Sequence, residues 1–129
     1  MKAVLALCSL LMLSATVATA ADKPKPPRPM NAEQIAALLA NGTTIKVTGA
    51  SSHYSGKFVL TADGKGSGTA TVNGKDVTVS GTWQIKRNLF CHVWQGIDEK
   101  EVCEAWVPIE AKKALILMKK VEVGIVTWE

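Results

Sequence analysis

Cys91 and Cys103 flank a short polar segment, and each is followed at once by an ionisable side chain, His92 or Glu104. In an oxidising compartment, two cysteines at this spacing are expected to form a covalent cross-link. Their spacing is not C-x-x-C, so a structural bond is expected over a redox-active pair. Trp83, Trp94 and Trp106 lie close by in sequence. An imidazole and a carboxylate among aromatic walls are the usual ingredients of a small-ligand site. Trp83, His92, Trp94, Glu104 and Trp106 are therefore the candidate ligand-binding residues. The competing reading is structural, with His92 paired to Glu104 in a core that the tryptophans fill.

Register decides which face of the hairpin is interior. If the loop 95–99 is centred on Ile97, Cys91 lies directly opposite Cys103, within reach of a disulfide. Leu89, Cys91, Val93, Cys103, Ala105 and Val107 then share one face, and Phe90, His92, Trp94, Val102, Glu104 and Trp106 share the other. A two-residue turn at Arg87-Asn88 sets Ile85 opposite Phe90 and Trp83 opposite His92. That choice carries the larger side chains inward and leaves the disulfide on the outer wall. A three-residue turn reverses the faces.

Other chemistries find less support. His53 and His92 are far apart, and no H-x₃-H or C-x₂-C spacing is present, so no metal site or cofactor is expected. Ser51-Ser52-His53 reads as a polar turn, and no G-x-S-x-G elbow occurs. The run Gly64-Lys65-Gly66-Ser67-Gly68 lacks phosphate-loop spacing. Asp98-Glu99-Lys100-Glu101 reads as a solvated loop.

The elements that must position these residues follow an export signal. In the 129-residue chain, Lys2 precedes an apolar run over residues 3–17. Ala18-Thr19-Ala20 is a small-residue cleavage site, which predicts a signal peptide over 1–20 cut after Ala20. The location expected is periplasmic or secreted, with no membrane insertion after cleavage. Roughly 109 residues remain, enough for one domain. The formal charge of +4 falls by one when Lys2 is removed. Part of the rest lies in a proline-rich linker over 21–30, so no nucleic-acid partner is expected.

A single domain over 31–129 follows. Asn31 and Gln34 form a capping box for a short helix that carries Ile35, Leu38 and Leu39 and ends at Asn41-Gly42. Beyond it the pattern is β. Strands are expected over 43–48, 53–61, 69–72, 77–85, 89–94, 102–107, 114–118 and 121–128. Turns are expected at 62–66, at Asn73-Gly74 and at 110–113, with a bulge or bend at Gly81. Short connections require antiparallel pairing. The fold class expected is mainly β, an antiparallel up-and-down barrel of about eight strands with one N-terminal helix, or else a sandwich.

This order of features resembles a group of small exported proteobacterial proteins of unknown function. The residues that carry the resemblance are Asn41-Gly42, Ala62-Asp63-Gly64, Gly81-Thr82-Trp83, Cys91-His92-Val93-Trp94 and Cys103. The resemblance brings no chemistry with it. Periplasmic lysozyme-inhibitor barrels are similar in size and in their staple. However, this chain lacks an inhibitory loop, and its mild positive charge would not attract cationic lysozyme. The function expected is an exported, non-enzymatic binding module for a small apolar or carbohydrate-like ligand. The alternative is an envelope protein–protein interaction or inhibitor protein.

Overall fold

The computed structural model describes residues 27–51 and 53–129. The signal peptide and most of the linker lie outside the described residues. Helix α1 (Ala32–Leu39) leads into eight strands. These are β1 (Thr43–Gly49), β2 (Tyr54–Leu60), β3 (Lys65–Val72), β4 (Lys75–Lys86), β5 (Leu89–Gln95), β6 (Val102–Glu110), β7 (Lys113–Met118) and β8 (Val121–Trp128). Each strand pairs antiparallel with the next, and β8 pairs with β1, which closes the barrel. Closure removes both free sheet edges, which a sandwich would leave exposed.

Tight turns set the registers. Asn73 and Gly74 both take positive φ, as do Arg87 and Asn88, which is the backbone of two-residue hairpin turns. The second turn places Trp83 opposite His92 and Ile85 opposite Phe90. Phe90, His92, Trp94, Glu104 and Trp106 therefore face inward, all of them buried. Phe90, Trp94 and Trp106 belong to the core cluster with Phe58, Leu60, Val79 and Val126.

Up-and-down topology gives the barrel two unlike ends. Helix α1 closes the end that carries the β2–β3, β4–β5 and β6–β7 turns. Its capping box is present: Asn31 Oδ1 accepts from Gln34 N at 2.9 Å, and Gln34 Oε1 accepts from Asn31 N at 2.9 Å. Ala32 N–H donates to Asn88 Oδ1 at 2.8 Å, which ties the helix start to the β4–β5 turn. Ile35 and Leu39 are fully buried in the core, and that burial stabilises a helix too short to persist alone. Met30 belongs to this cap and not to a linker. It is buried, and its N–H donates to Trp106 O at 2.8 Å.

Two sequence expectations are corrected here. Residues 65–68 lie in β3 and not in a turn, and Gly81 pairs regularly with Gly66 and with Trp94 and forms no bulge. The register shifts fall instead between Pro108 and Glu110 and between Ile116 and Leu117. Packing accounts for the glycines. A Cβ at Gly66 would sit 2.6 Å from the Trp94 ring, and one at Gly81 would sit 1.9 Å from Val93 O as well as 2.9 Å from the same ring. These glycines leave the space in which the Trp94 indole lies.

The β5–β6 ladder is short, consisting of Phe90–Glu104, Cys91–Cys103 and His92–Val102. The Cys91–Cys103 disulfide crosses its middle, with Cα atoms 4.0 Å apart. The bond lies on the outward face, yet Cys91 is completely buried. A polar clasp covers it. Glu101 accepts from Gln84 Nε2 and from Lys86 Nζ, each at 2.6 Å, and Glu101 Oε1 lies 3.8 Å from Cys103 Sγ. Lys86 and Gln84 hold the Glu101 carboxyl below its ordinary pKa. Replacing both cysteines by alanine is expected to lower the unfolding free energy by about 3 kcal/mol in urea titrations. Intact mass spectrometry of the exported chain, cut after Ala20 and so without Cys8, is expected to show no labelled thiol after alkylation without reductant.

Candidate functional site

The barrel end opposite the helix is open. A cavity of about 310 Å³ enters there, beneath the β1–β2, β5–β6 and β7–β8 loops. Ile45, Val47, Phe58, Ile116, Met118 and Val123 supply apolar wall, while Tyr54, His92, Asp98 and Glu104 supply the polar groups. Among the described residues, the lining contains no lysine or arginine.

Three of the five candidate residues, His92, Trp94 and Glu104, line this cavity. Trp83 and Trp106 face inward but lie nearer the helix-capped end, beyond the cavity wall. Inward facing is set by strand alternation, whereas depth along the barrel is set by strand tilt and stagger, and these two residues sit too deep. Trp83 locks the β2–β3 turn, donating its indole N–H to Thr61 O and Lys65 O, both at 3.1 Å. Trp106 is fully buried and donates its indole N–H to Glu104 Oε1 at 2.8 Å, so it positions the carboxylate.

The rings form a continuous column. Trp128 stacks on Trp106 at 6.2 Å between centroids, and Trp106 meets Phe90 at 4.7 Å. Phe90 meets His92 at 5.7 Å, His92 stacks on Trp94 at 5.1 Å, and Trp94 stacks on Phe58 at 5.0 Å. Such contacts add to simple burial and hold the His92 ring in one orientation.

His92 is bonded on both nitrogens. Nδ1 lies 2.9 Å from Asp98 Oδ2, and Nε2 lies 3.4 Å from Glu104 Oε2. Burial opposes the charged imidazolium, but hydrogen bonds and charge from Glu104 and Asp98 outweigh it and raise the His92 pKa above 6.5. Both ring nitrogens can be satisfied at once only as donors, which is the protonated state. With both nitrogens engaged, the imidazole has no lone pair free to activate a hydroxyl nucleophile. Burial, aided by the charges of Asp98 and Glu104, pushes the Tyr54 phenol up to about 12. Tyr54 therefore stays neutral at physiological pH.

Asp98 is the residue that sequence reasoning missed. It does not sit in a solvated loop; its side chain is 9% exposed. The β5–β6 ladder ends at His92–Val102, so the Trp94 N–H has no strand acceptor, and Asp98 Oδ2 takes it at 2.7 Å. Ile97 N and Asp98 N both donate to Trp94 O, closing a tight turn around Gly96, whose φ is +91°. An aspartate just after a glycine turn, able to bond the backbone a few residues away, was the available signal. The adjoining charges in the run concealed it.

A metal ion finds no convergent donors in this cluster, because the two carboxylates lie on opposite edges of the imidazole ring. Among the described residues, only Cys91, Glu101 and Cys103 bring three donor atoms together, and the disulfide consumes both sulfurs. No helix among the described residues is long and apolar enough to cross a membrane. Comparison with known proteins finds no matching family model, no matching curated protein and no matching solved structure.

Two outcomes test this geometry. Asp98→Ala leaves the Trp94 N–H and one His92 N–H unpaired and is expected to cost about 2 kcal/mol in urea unfolding. Glu99→Ala, at the exposed neighbouring position, should change stability by less than about 0.5 kcal/mol. The second outcome concerns pH. The raised pKa of His92 means that its contribution is fully present below its unfolded value near 6.5 and is lost as pH rises through its folded value. The urea midpoint should therefore fall as pH rises above about 6.5, and His92→Gln should flatten that fall. A midpoint that rises over this range would contradict the assignment.

Proposed function

We propose that the protein is an exported, non-enzymatic binding module that holds a small, largely apolar molecule in the open end of its barrel. The supporting observation is the cavity itself: about 310 Å³, apolar over most of its wall, with His92, Asp98, Glu104 and Tyr54 among its polar groups. Pockets that bind small molecules combine this kind of wall with a few fixed polar groups. The polar groups are held in place before any ligand arrives, since Asp98 and Glu104 are both bonded to His92. Pre-organisation of this sort lowers the entropic cost of binding. The disulfide agrees with export to an oxidising compartment.

An interaction or inhibitor protein would need a contiguous exposed surface. Among the described residues, the exposed large apolar side chains are Val59, Ile109 and Val121. They lie on β2, β6 and β8, none of which are neighbours in the barrel.

Trp94 is the tryptophan on the cavity wall, so its fluorescence reports occupancy. Titration with a panel of envelope metabolites is expected to give a saturable change with at least one compound. Val47→Phe, which fills the cavity from β1, should abolish that change while leaving the circular dichroism spectrum intact. Equal binding by the filled variant would place the ligand elsewhere and refute the proposal.

A further inference from the structure

The polar lining of the cavity is not electrically balanced. His92, when protonated, offsets one of the two carboxylates bonded to it, and among the described residues no lysine or arginine lines the cavity to offset the other. A carboxylate held away from water without a counter-charge is costly, and the site is therefore selective for a group that supplies one.

The hydrogen bonds show where that group would sit. Both bonds received by Asp98, from His92 Nδ1 and from Trp94 N–H, fall on Oδ2. Oδ1 receives none among the described residues, although the side chain is 9% exposed. No completely buried side-chain oxygen among the described residues lacks a partner, so Oδ1 must reach accessible space, and Asp98 lines the cavity. Glu104 is different. Its Oε1 is taken by Trp106 and its Oε2 by His92. Asp98 thus offers the cavity a charged acceptor, one oxygen of a mostly buried carboxylate set against apolar wall from Val47, Val123 and Met118. The neighbouring Tyr54 ring adds an aromatic face, a surface that favours cations.

We propose that the ligand class is a small primary amine: an apolar body that fills the barrel end, carrying one ammonium group that donates to Asp98 Oδ1. An anionic ligand would meet the charges of Asp98 and Glu104. A neutral apolar ligand would cover Asp98 Oδ1 and leave it unpaired. This inference rests on the binding role proposed above, and it adds the charge and the headgroup.

Three probes of one chain length separate the two ideas: hexylamine, hexanol and hexanoate, titrated into the full chain at pH 7 by Trp94 fluorescence or calorimetry. Hexylamine is expected to bind at least about tenfold more tightly than hexanol, which can also donate to Asp98 Oδ1 but brings no counter-charge, with hexanoate weakest. Asp98→Asn is expected to bring hexylamine down to the level of hexanol. The wild-type comparison stands alone if that variant folds poorly. If hexanol or hexanoate matches or exceeds hexylamine, the amine assignment is overturned while the binding role survives. If none of the three binds, both fall.

Discussion

The barrel depends on keeping β5 and β6 in register along its shortest seam. Elsewhere around the wall, ladders run nearly the length of the strands; β3 and β4, for example, pair from Lys65–Thr82 to Val72–Lys75. Between β5 and β6 only Phe90–Glu104, Cys91–Cys103 and His92–Val102 pair. A slip of β6 by one residue there would turn Glu104 and Trp106 out of the interior, because strand side chains alternate faces. The disulfide forbids that slip. The clasp of Gln84, Lys86 and Glu101 reinforces it from the outer face and ties β4 to the start of β6.

The seam also explains how charge is buried in so small a protein. Where the ladder stops, Trp94 presents an unpaired N–H to the interior, and the loop turns back to supply Asp98 as its acceptor. The same carboxylate oxygen then meets His92, whose other nitrogen meets Glu104, which Trp106 holds in turn. Each member of the chain satisfies the next, so a cluster that would be costly piecemeal becomes a fixed array. The stacked rings of Phe90, His92, Trp94 and Phe58 keep that array aimed at the open end.

Local sequence patterns carried much of this fold. Asn31 with Gln34, Asn73-Gly74 and Arg87-Asn88 are short-range signals, and each sets an element whose ends lie close in sequence. The inward face of β5 and β6 followed from one turn and one disulfide. Long-range packing was harder to read. Gly66 and Gly81 resemble turn and bulge residues until the Trp94 ring is placed between β3 and β5. Trp83 and Trp106 share a face with His92, but alternation gives no depth along the barrel axis, so their absence from the cavity wall could not be read from pattern. Asp98 was hidden for a related reason. Its burial results from where the ladder ends, a property of two strands and not of the three charged residues beside it.

The two ends of the barrel are closed by different means, and that asymmetry has a transport consequence. Helix α1 seats Ile35 and Leu39 into one end, with Met30 hydrogen-bonded beside them. The interior is therefore a cup and not a conduit. Whatever enters must leave past the same rim, where Ile97 and Asp98 stand on a loop secured by hydrogen bonds to Trp94. Under the binding role proposed above, a molecule held in this vessel would be taken up and released at one mouth.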